Sequence, residues 1–152
     1  PHLRAQLVDA TRNWRVQPRL LFEETEKRAA FRAARVALAK SGTVTLELAL
    51  AGVPMVTAYK GSAFEIWLAR RLVSVPSIIL ANLVLGENVV PEFVQEQATA
   101  QNLAAALVPL VGDTPERRKQ VEAFAKLDGI MEIGSRAPAA RAADIVLGLL
   151  DK

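Results

Sequence analysis

Short apolar segments that alternate with helical segments are the feature that most constrains the fold of this chain. The apolar runs lie at residues 36–39, 55–59 and 77–80. Their hydrophobic side chains occupy successive positions, so both faces of each strand would be buried. Between these runs, residues 44–51 have helical spacing, and residues 62–72 open with a capping box. This βαβα order predicts an α/β fold with a parallel sheet that helices cover on both faces.

The segments before and after this alternation are mostly helical in character. No strand candidate remains after Glu92, so the C-terminal third is predicted to be helical. The remaining predictions, in chain order, are a helix at 3–14, a strand at 19–22, a surface helix at 23–35, a loop at 81–90, a short helix from Pro91, helices that begin after the caps Thr99 and Thr114, and an amphipathic helix at 137–150.

The composition excludes several classes of site. Cysteine is absent, which rules out disulfides, thiolate zinc sites and cysteine catalysis. The single histidine, His2, lies at the chain end, so neither a Ser-His-Asp triad nor a multi-histidine metal site is expected. The net charge of +3 permits an anionic ligand or an acidic membrane surface. Aromatic residues do not interleave with a basic stripe, so no nucleic-acid partner is expected.

The location of the protein is predicted from what the chain lacks. The longest apolar stretch, residues 72–86, is shorter than the roughly 20 residues of a membrane span. No secretory signal is visible, and the chain opens at Pro1. We therefore expect a cytoplasmic protein and read the chain as a piece of a longer one.

The first predicted strand end carries the strongest binding signal. A strand runs into Ser41-Gly42-Thr43 and directly into a helix, whose first N–H groups favour an anion such as a phosphate. Gly42 lets a ligand approach the backbone. Glu47 lies one turn into the helix, where its carboxylate is placed to accept hydrogen bonds from the vicinal hydroxyls of a ribose. The alternative is that Ser41 or Thr43 merely caps the helix and Glu47 favours its positive end.

Two further strand ends offer polar groups. Lys60 follows the strand at residues 55–59 and could meet a phosphate. Asn82 lies in an apolar segment, where its amide needs partners for both donors and acceptor. It either bonds only to loop backbone or takes part in ligand binding, and the residues alone do not decide between the two.

Three segments of the chain form a recognisable set. They are Ser41-Gly42-Thr43-Val44-Thr45-Leu46-Glu47 with its continuation to Val56, Trp67-Leu68-Ala69-Arg70-Arg71-Leu72-Val73, and Asn82-Leu83 followed by Val90-Pro91-Glu92. Together they resemble the lipid-A-disaccharide synthase family, a branch of the B-type glycosyltransferases. The resemblance runs from about Ala33 to the end of the chain, and the Ser-Gly-x…Glu part alone is shared with other UDP-sugar enzymes of the same fold.

The resemblance implies a three-layer, Rossmann-like domain that forms the C-terminal half of a two-domain glycosyltransferase. Residues 1–136 would form the N-terminally incomplete donor-binding domain, and residues 137–152 a helix that packs on the absent first domain. Ser41, Gly42 and Thr43 would hold the UDP diphosphate and Glu47 the ribose hydroxyls, and Asn82 would belong to the donor site. No metal ion or other cofactor is implied.

The implied reaction transfers 2,3-diacylglucosamine from UDP to 2,3-diacylglucosamine 1-phosphate, with inversion at the anomeric carbon. The parent protein would be peripheral on the cytoplasmic side of the inner membrane of a Gram-negative bacterium, with a homodimer left open. The catalytic residues are not identified, because the general base is expected in the missing domain. The isolated chain is therefore expected to be inactive.

One residue departs from the family pattern, and two other functions stay open. The family has proline where this chain has Ala81, which affects the segment before Asn82. The first alternative is another UDP-sugar enzyme, such as a 2-epimerase or the peptidoglycan N-acetylglucosaminyltransferase. The second is a non-catalytic α/β binding module.

Overall fold

The computed structural model describes residues 2–62, 77–131 and 138–150. Within it the chain divides into two units, Pro1–Ala34 and Arg35–Lys152. The predicted division at residue 136 stays a prediction. The predicted helix with a capping box at residues 62–72 lies almost wholly outside the described residues.

The first unit contains two helices, α1 (His2–Thr11) and α2 (Glu24–Ala33). Both were predicted. The strand predicted at residues 19–22 is wrong, because that segment has no regular secondary structure. A strand is stable only when its backbone pairs with a neighbour, and no other strand occurs among the described residues of this unit. Phe22 instead lies under the guanidinium of Arg4, which is 4.7 Å from the ring centroid.

The second unit is built on a parallel sheet of β1 (Ala37–Lys40), β2 (Met55–Tyr59) and β3 (Glu92–Val94) in the order β1-β2-β3. Ala37 pairs with Met55, and Thr57 pairs with Glu92. Successive strand residues point to opposite faces, and Met55 and Val56 are both fully buried. Both faces of β2 are therefore covered, as its apolar sequence predicted.

Helices follow and flank the strands. In this unit the described helices are α3 (Val44–Leu50), α4 (Leu80–Leu85), a 3₁₀ turn (Gln95–Gln97), α5 (Ala100–Val111), α6 (Pro115–Ala125), α7 (Leu127–Ile130) and α8 (Pro138–Leu150). The hydroxyls of Thr99 and Thr114 cap α5 and α6 by accepting bonds from Asn102 N and Arg117 N. The two caps and the helical C-terminal third are confirmed.

Gly52 ends α3, directly after the segment 44–51 whose spacing predicted the helix. Its φ is +71°, a left-handed conformation that glycine adopts at low cost. Gly52 N donates to Ala49 O at 2.9 Å, and Val53 N donates to Leu48 O at 3.0 Å. This pair of bonds is the Schellman motif, and it turns the chain directly into β2.

Three predictions between residues 77 and 94 are wrong. Residues 77–80 are not a strand, since α4 begins at Leu80, and residues 81–85 are helical where a loop was expected. The short helix expected from Pro91 is instead the strand β3. Thr57 N donates to Pro91 O at 3.1 Å and thereby joins this segment to β2. An apolar run is compatible with either a buried strand or a buried helix, and the sheet partner decided which segment became the strand.

A buried glutamine ties α6 to the start of β2. The side-chain amide of Gln120 accepts from Met55 N at 2.8 Å and donates to Met55 O at 3.1 Å. Gln120 is 3% exposed, and the two bonds satisfy the backbone groups of Met55 as a neighbouring strand would. Helix α6 is in this way fixed to the sheet that carries the candidate site.

Candidate functional site

The turn that follows β1 lies at the carboxyl edge of the sheet. Ser41 N donates to Ala58 O at 3.2 Å, which fixes the turn against the end of β2. The hydroxyl of Thr45, which is fully buried, donates to Gly42 O at 2.8 Å and closes the turn from inside. Ligands of open parallel sheets bind outside this edge, so the predicted site residues of the turn stand where that rule requires.

Neither of the two predicted hydroxyls caps α3. Ser41 Oγ donates to Ile78 O at 3.1 Å, and Thr43, the residue before α3, makes no side-chain capping bond. The capping alternative therefore has no support from the geometry. Among the described residues, no atom lies within 4 Å of where a Cβ on Gly42 would stand, so the turn opens onto free space.

Glu47 occupies the exposed side of α3. Its neighbours Leu48 and Ala49 are buried at 3% and 1% exposure, whereas Glu47 is exposed. Its backbone N–H donates to Thr43 O at 3.3 Å, which places it one turn after the Ser-Gly-Thr segment. The buried face of α3 thus fixes the helix, and the carboxylate of Glu47 is carried on the solvent side.

A carboxylate that the sequence analysis did not single out holds the segment facing this turn. Glu92, the first residue of β3, accepts from Ser77 Oγ and from Ile78 N, the latter at 3.3 Å. Ile78 is the same residue whose carbonyl receives the Ser41 hydroxyl. Glu92 therefore holds Ile78, whose carbonyl oxygen accepts the hydrogen bond from Ser41 Oγ. The motif Val90-Pro91-Glu92 was a signal of its importance, though not of this role.

Asn82 lies beneath this segment and is 2% exposed. Its Oδ1 accepts from Val89 N at 3.1 Å and from Val90 N at 2.9 Å. Its Nδ2 donates to Val90 O at 3.0 Å and also contacts Ser77 Oγ and Glu92 Oε1, at 3.3 and 3.4 Å. The amide is thus fully engaged with protein groups. The geometry favours the alternative in which Asn82 holds the loop before β3, and its assignment to the donor site stays a prediction.

The end of β2 forms the other flank of the edge. Lys60 is exposed, and Gly61 is held by the side chain of Gln95, which follows β3. Gln95 has φ +52° and is the only non-glycine residue with positive φ among those that the structure describes. A left-handed conformation costs an L-residue other than glycine roughly 1–2 kcal/mol. Lys40 Nζ lies 5.7 Å from the ring centroid of Tyr59 at the same edge.

Other chemistry is sparse in the part of the chain that can be described. Within residues 2–62, 77–131 and 138–150, no three His, Cys, Asp or Glu side chains are grouped so that they could hold a metal ion. In those same ranges no helix has the length and apolar character needed to cross a bilayer. The hydrogen bond from Arg35 lowers the pKa of the Asp113 carboxyl group. Both residues lie outside the turn at residues 41–43.

Comparisons with known proteins agree with the resemblance. The family model described as Lipid-A-disaccharide synthetase matches residues 1–146. The chain is 58% identical over 150 residues to the Lipid-A-disaccharide synthase of Rhodopseudomonas palustris (strain BisB18), covering 99% of this chain and 38% of that protein. It is 60% identical over 147 residues to the enzyme of the same name from Nitrobacter hamburgensis, covering 97% of this chain and 37% of that protein.

A relative with lower identity also matches most of this chain. The Lipid-A-disaccharide synthase of Gluconobacter oxydans is 39% identical over 141 residues, which cover 93% of this chain and 34% of that protein. The similarity extends through the first thirty residues, where the sequence analysis found little. The chain spans less than two fifths of the length of these relatives.

Proposed function

Because this chain belongs to the lipid-A-disaccharide synthase family, we propose that it forms the donor-binding part of a glycosyltransferase of lipid A biosynthesis. The donor would be UDP-2,3-diacylglucosamine and the acceptor 2,3-diacylglucosamine 1-phosphate, with UDP as the released product. The single observation that carries the proposal is the turn at residues 41–43. It is fixed on both sides by hydrogen bonds, and among residues 2–62, 77–131 and 138–150 none fills the space in front of Gly42 at the carboxyl edge of the sheet.

The residues of this turn are assigned to the diphosphate. Within α3, Thr45 N and Leu46 N already donate to Gly42 O and Thr43 O. The proposed donors to the phosphate oxygens are therefore the backbone N–H groups of the turn itself, and Gly42 lets those oxygens approach. Ser41 and Thr43 add hydroxyls. Such donors stabilise the negative charge that develops on the departing UDP, which is the electrostatic part of the catalysis. The group that deprotonates the acceptor would come from the part of the protein outside this chain.

Glu47 is assigned to the ribose, and the assignment is open to test by one isosteric change. Glu47→Gln removes a charge-assisted hydrogen bond, so UDP affinity should fall by about 1.5–3 kcal/mol, roughly ten- to a hundredfold. The measurement is calorimetry of UDP binding to the full-length protein. Glu116→Gln, also an exposed glutamate in the first turn of a helix, is the matched control. Unchanged UDP affinity in a folded Glu47→Gln protein would contradict the ribose assignment.

The substrates are acylated sugars, so we place the parent protein at the cytoplasmic surface of the inner membrane of a Gram-negative bacterium. Leu83 belongs to the second half of α4 and is 41% exposed, while Val84 and Leu85 are half-buried. These three residues, which fall in the segment predicted as a loop, are therefore carried on a helical turn. Insertion of exposed apolar side chains is one way in which peripheral proteins contact lipid.

Vesicle flotation tests this membrane contact. The variant Leu83→Ser with Leu85→Ser should reduce binding of the full-length protein to anionic vesicles. Val108→Ser, which removes a side chain 68% exposed on α5, is the control and should leave binding unchanged. Equal flotation of all three proteins would show that the lipid-facing surface lies elsewhere.

The exposed apolar side chains of α8 are assigned to packing against the rest of the protein or against a second copy. Ile145, Val146, Leu147 and Leu149 are between 58% and 68% exposed on this helix. A helix with this many exposed large apolar side chains is usually covered in the complete protein. The remaining three fifths of the length of the relatives would supply the cover, or a homodimer would.

A further inference from the structure

The side chain of Gln95 clamps the loop that follows β2. Its Oε1 accepts from Gly61 N at 2.9 Å, and its Nε2 donates to Gly61 O at 3.2 Å. Both backbone groups of one residue are thus bound by one planar amide. The two contacts come from residues 34 positions apart, since Gly61 follows β2 and Gln95 follows β3.

The backbone of Gln95 is strained, which shows that the clamp is specified by its surroundings. A φ of +52° is unfavourable for any residue with a Cβ, and glutamine has no special tolerance for it. Such conformations persist where the neighbouring structure over-determines them, and they cluster at ligand sites. Here the conformation turns the chain at the end of β3 and directs the amide of Gln95 towards Gly61.

The clamped loop stands beside the candidate diphosphate site. Ala58 O receives the N–H of Ser41, so the last residues of β2 and the Ser41 turn are neighbours at the carboxyl edge of the sheet. Lys60 directly precedes the clamped glycine and is exposed. A lysine side chain has many rotamers, and fixing its backbone reduces the entropy lost when its ammonium binds an anion.

We propose that Gln95 is a positioning residue, which holds residues 60–62 so that the ammonium of Lys60 contacts the diphosphate of the UDP-sugar. The inference rests on the proposed function, since it needs a nucleoside diphosphate at the edge of the sheet. Gln95 itself does not touch the ligand. It acts through Gly61 and Lys60.

Two substitutions in the full-length protein separate the clamp from the strained backbone. Gln95→Asn keeps an amide at a residue type that tolerates positive φ, but its side chain is one methylene too short to reach Gly61. Gln95→Glu keeps the length and can accept from Gly61 N, but it cannot donate to Gly61 O. Gln97→Asn in the same 3₁₀ turn, at an exposed residue, is the matched control.

The expected result is a change in donor binding rather than in the chemical step. Gln95→Asn should raise the KM for the UDP-sugar and the Kd for UDP by about tenfold, because the backbone that carries Lys60 is no longer held in place for the diphosphate. The value of kcat should remain close to that of the control, and the thermal unfolding midpoint should fall modestly because two internal hydrogen bonds are lost. The KM and Kd of Gln95→Glu should lie between those of Gln95→Asn and those of the control.

A double-mutant cycle with Lys60→Gln tests whether Gln95 acts through Lys60. In the Lys60→Gln background, Gln95→Asn should have little further effect on the Kd for UDP, because the positioned group is already lost. An equal loss in both backgrounds, or an unchanged Kd in Gln95→Asn, would overturn the inference and leave the proposed function standing. Failure of the unsubstituted full-length protein to bind UDP would overturn both.

Discussion

Replacing Asn82 by alanine should open the loop before β3 without touching the exposed surface. The change removes the acceptor of Val89 N and Val90 N and the donor to Val90 O, all of which are buried bonds. Each neutral hydrogen bond contributes about 0.5–1.5 kcal/mol, and a buried group left without a partner costs about 1–3 kcal/mol. Allowing for water that enters the space left by the amide, the loss is about 3 kcal/mol.

Hydrogen exchange of individual amides in the full-length protein measures this loss locally. A loss of about 3 kcal/mol corresponds to a local opening equilibrium roughly a hundredfold more favourable, so Val89 and Val90 should exchange faster by about that factor. The control is Asn102→Ala, which removes a single exposed bond from Asn102 Nδ2 to Gln97 O at 2.9 Å. Exchange near that control site should change by less than about tenfold.

One outcome would show that Asn82 is a ligand-binding group and not a brace. In that outcome, Val89 and Val90 exchange at the unsubstituted rate in Asn82→Ala while the affinity for UDP falls. The expected outcome is that Val89 and Val90 exchange faster and that the UDP affinity changes by a smaller factor than their exchange rates do. Asn82→Asp should not restore the protection of Val89 and Val90, because the oxygen that replaces Nδ2 would face Val90 O and the carboxylate of Glu92 in a buried position.

Two further predictions concern stability. Gly52→Ala should destabilise the protein by about 1 kcal/mol or more, because its φ of +71° disfavours a Cβ, whereas Gly148→Ala within α8 should be neutral or stabilising; thermal unfolding compares them, and equal effects would contradict the capping role of Gly52. Arg35→Gln should raise the pKa of Asp113 towards its ordinary value, which NMR titration of the carboxyl group measures. Because the pKa of Asp113 is lowered in the folded protein, the pair stabilises the fold above the ordinary carboxyl pKa and loses this effect as the pH falls through the lowered value. Arg35→Gln should therefore reduce stability less at acidic pH than at neutral pH. An unchanged pKa of Asp113 in Arg35→Gln would contradict the pairing.

Elements with local sequence signals were predictable from the order of amino acids alone. The strands β1 and β2 and the helix α3 between them follow from apolar runs and helical spacing over neighbouring residues. Thr99, Thr114 and Gly52 mark helix ends because their roles depend on a few adjacent backbone groups. The position of the Ser-Gly-Thr turn followed from the same local order, since the end of a parallel strand lies at the binding edge.

Features that depend on partners distant in the sequence were set by the three-dimensional packing of the chain. Residues 77–80 and 92–94 are both short and partly apolar, and the pairing of Thr57 with Glu92 made the second of them the strand. The Glu92 brace at Ile78 likewise joins segments that local spacing does not relate. The pairing of Gln120 with Met55 and the strained clamp of Gln95 on Gly61 have the same cause. A buried amide takes whichever unpaired backbone group the fold brings to it, and that choice is made in space and not along the chain.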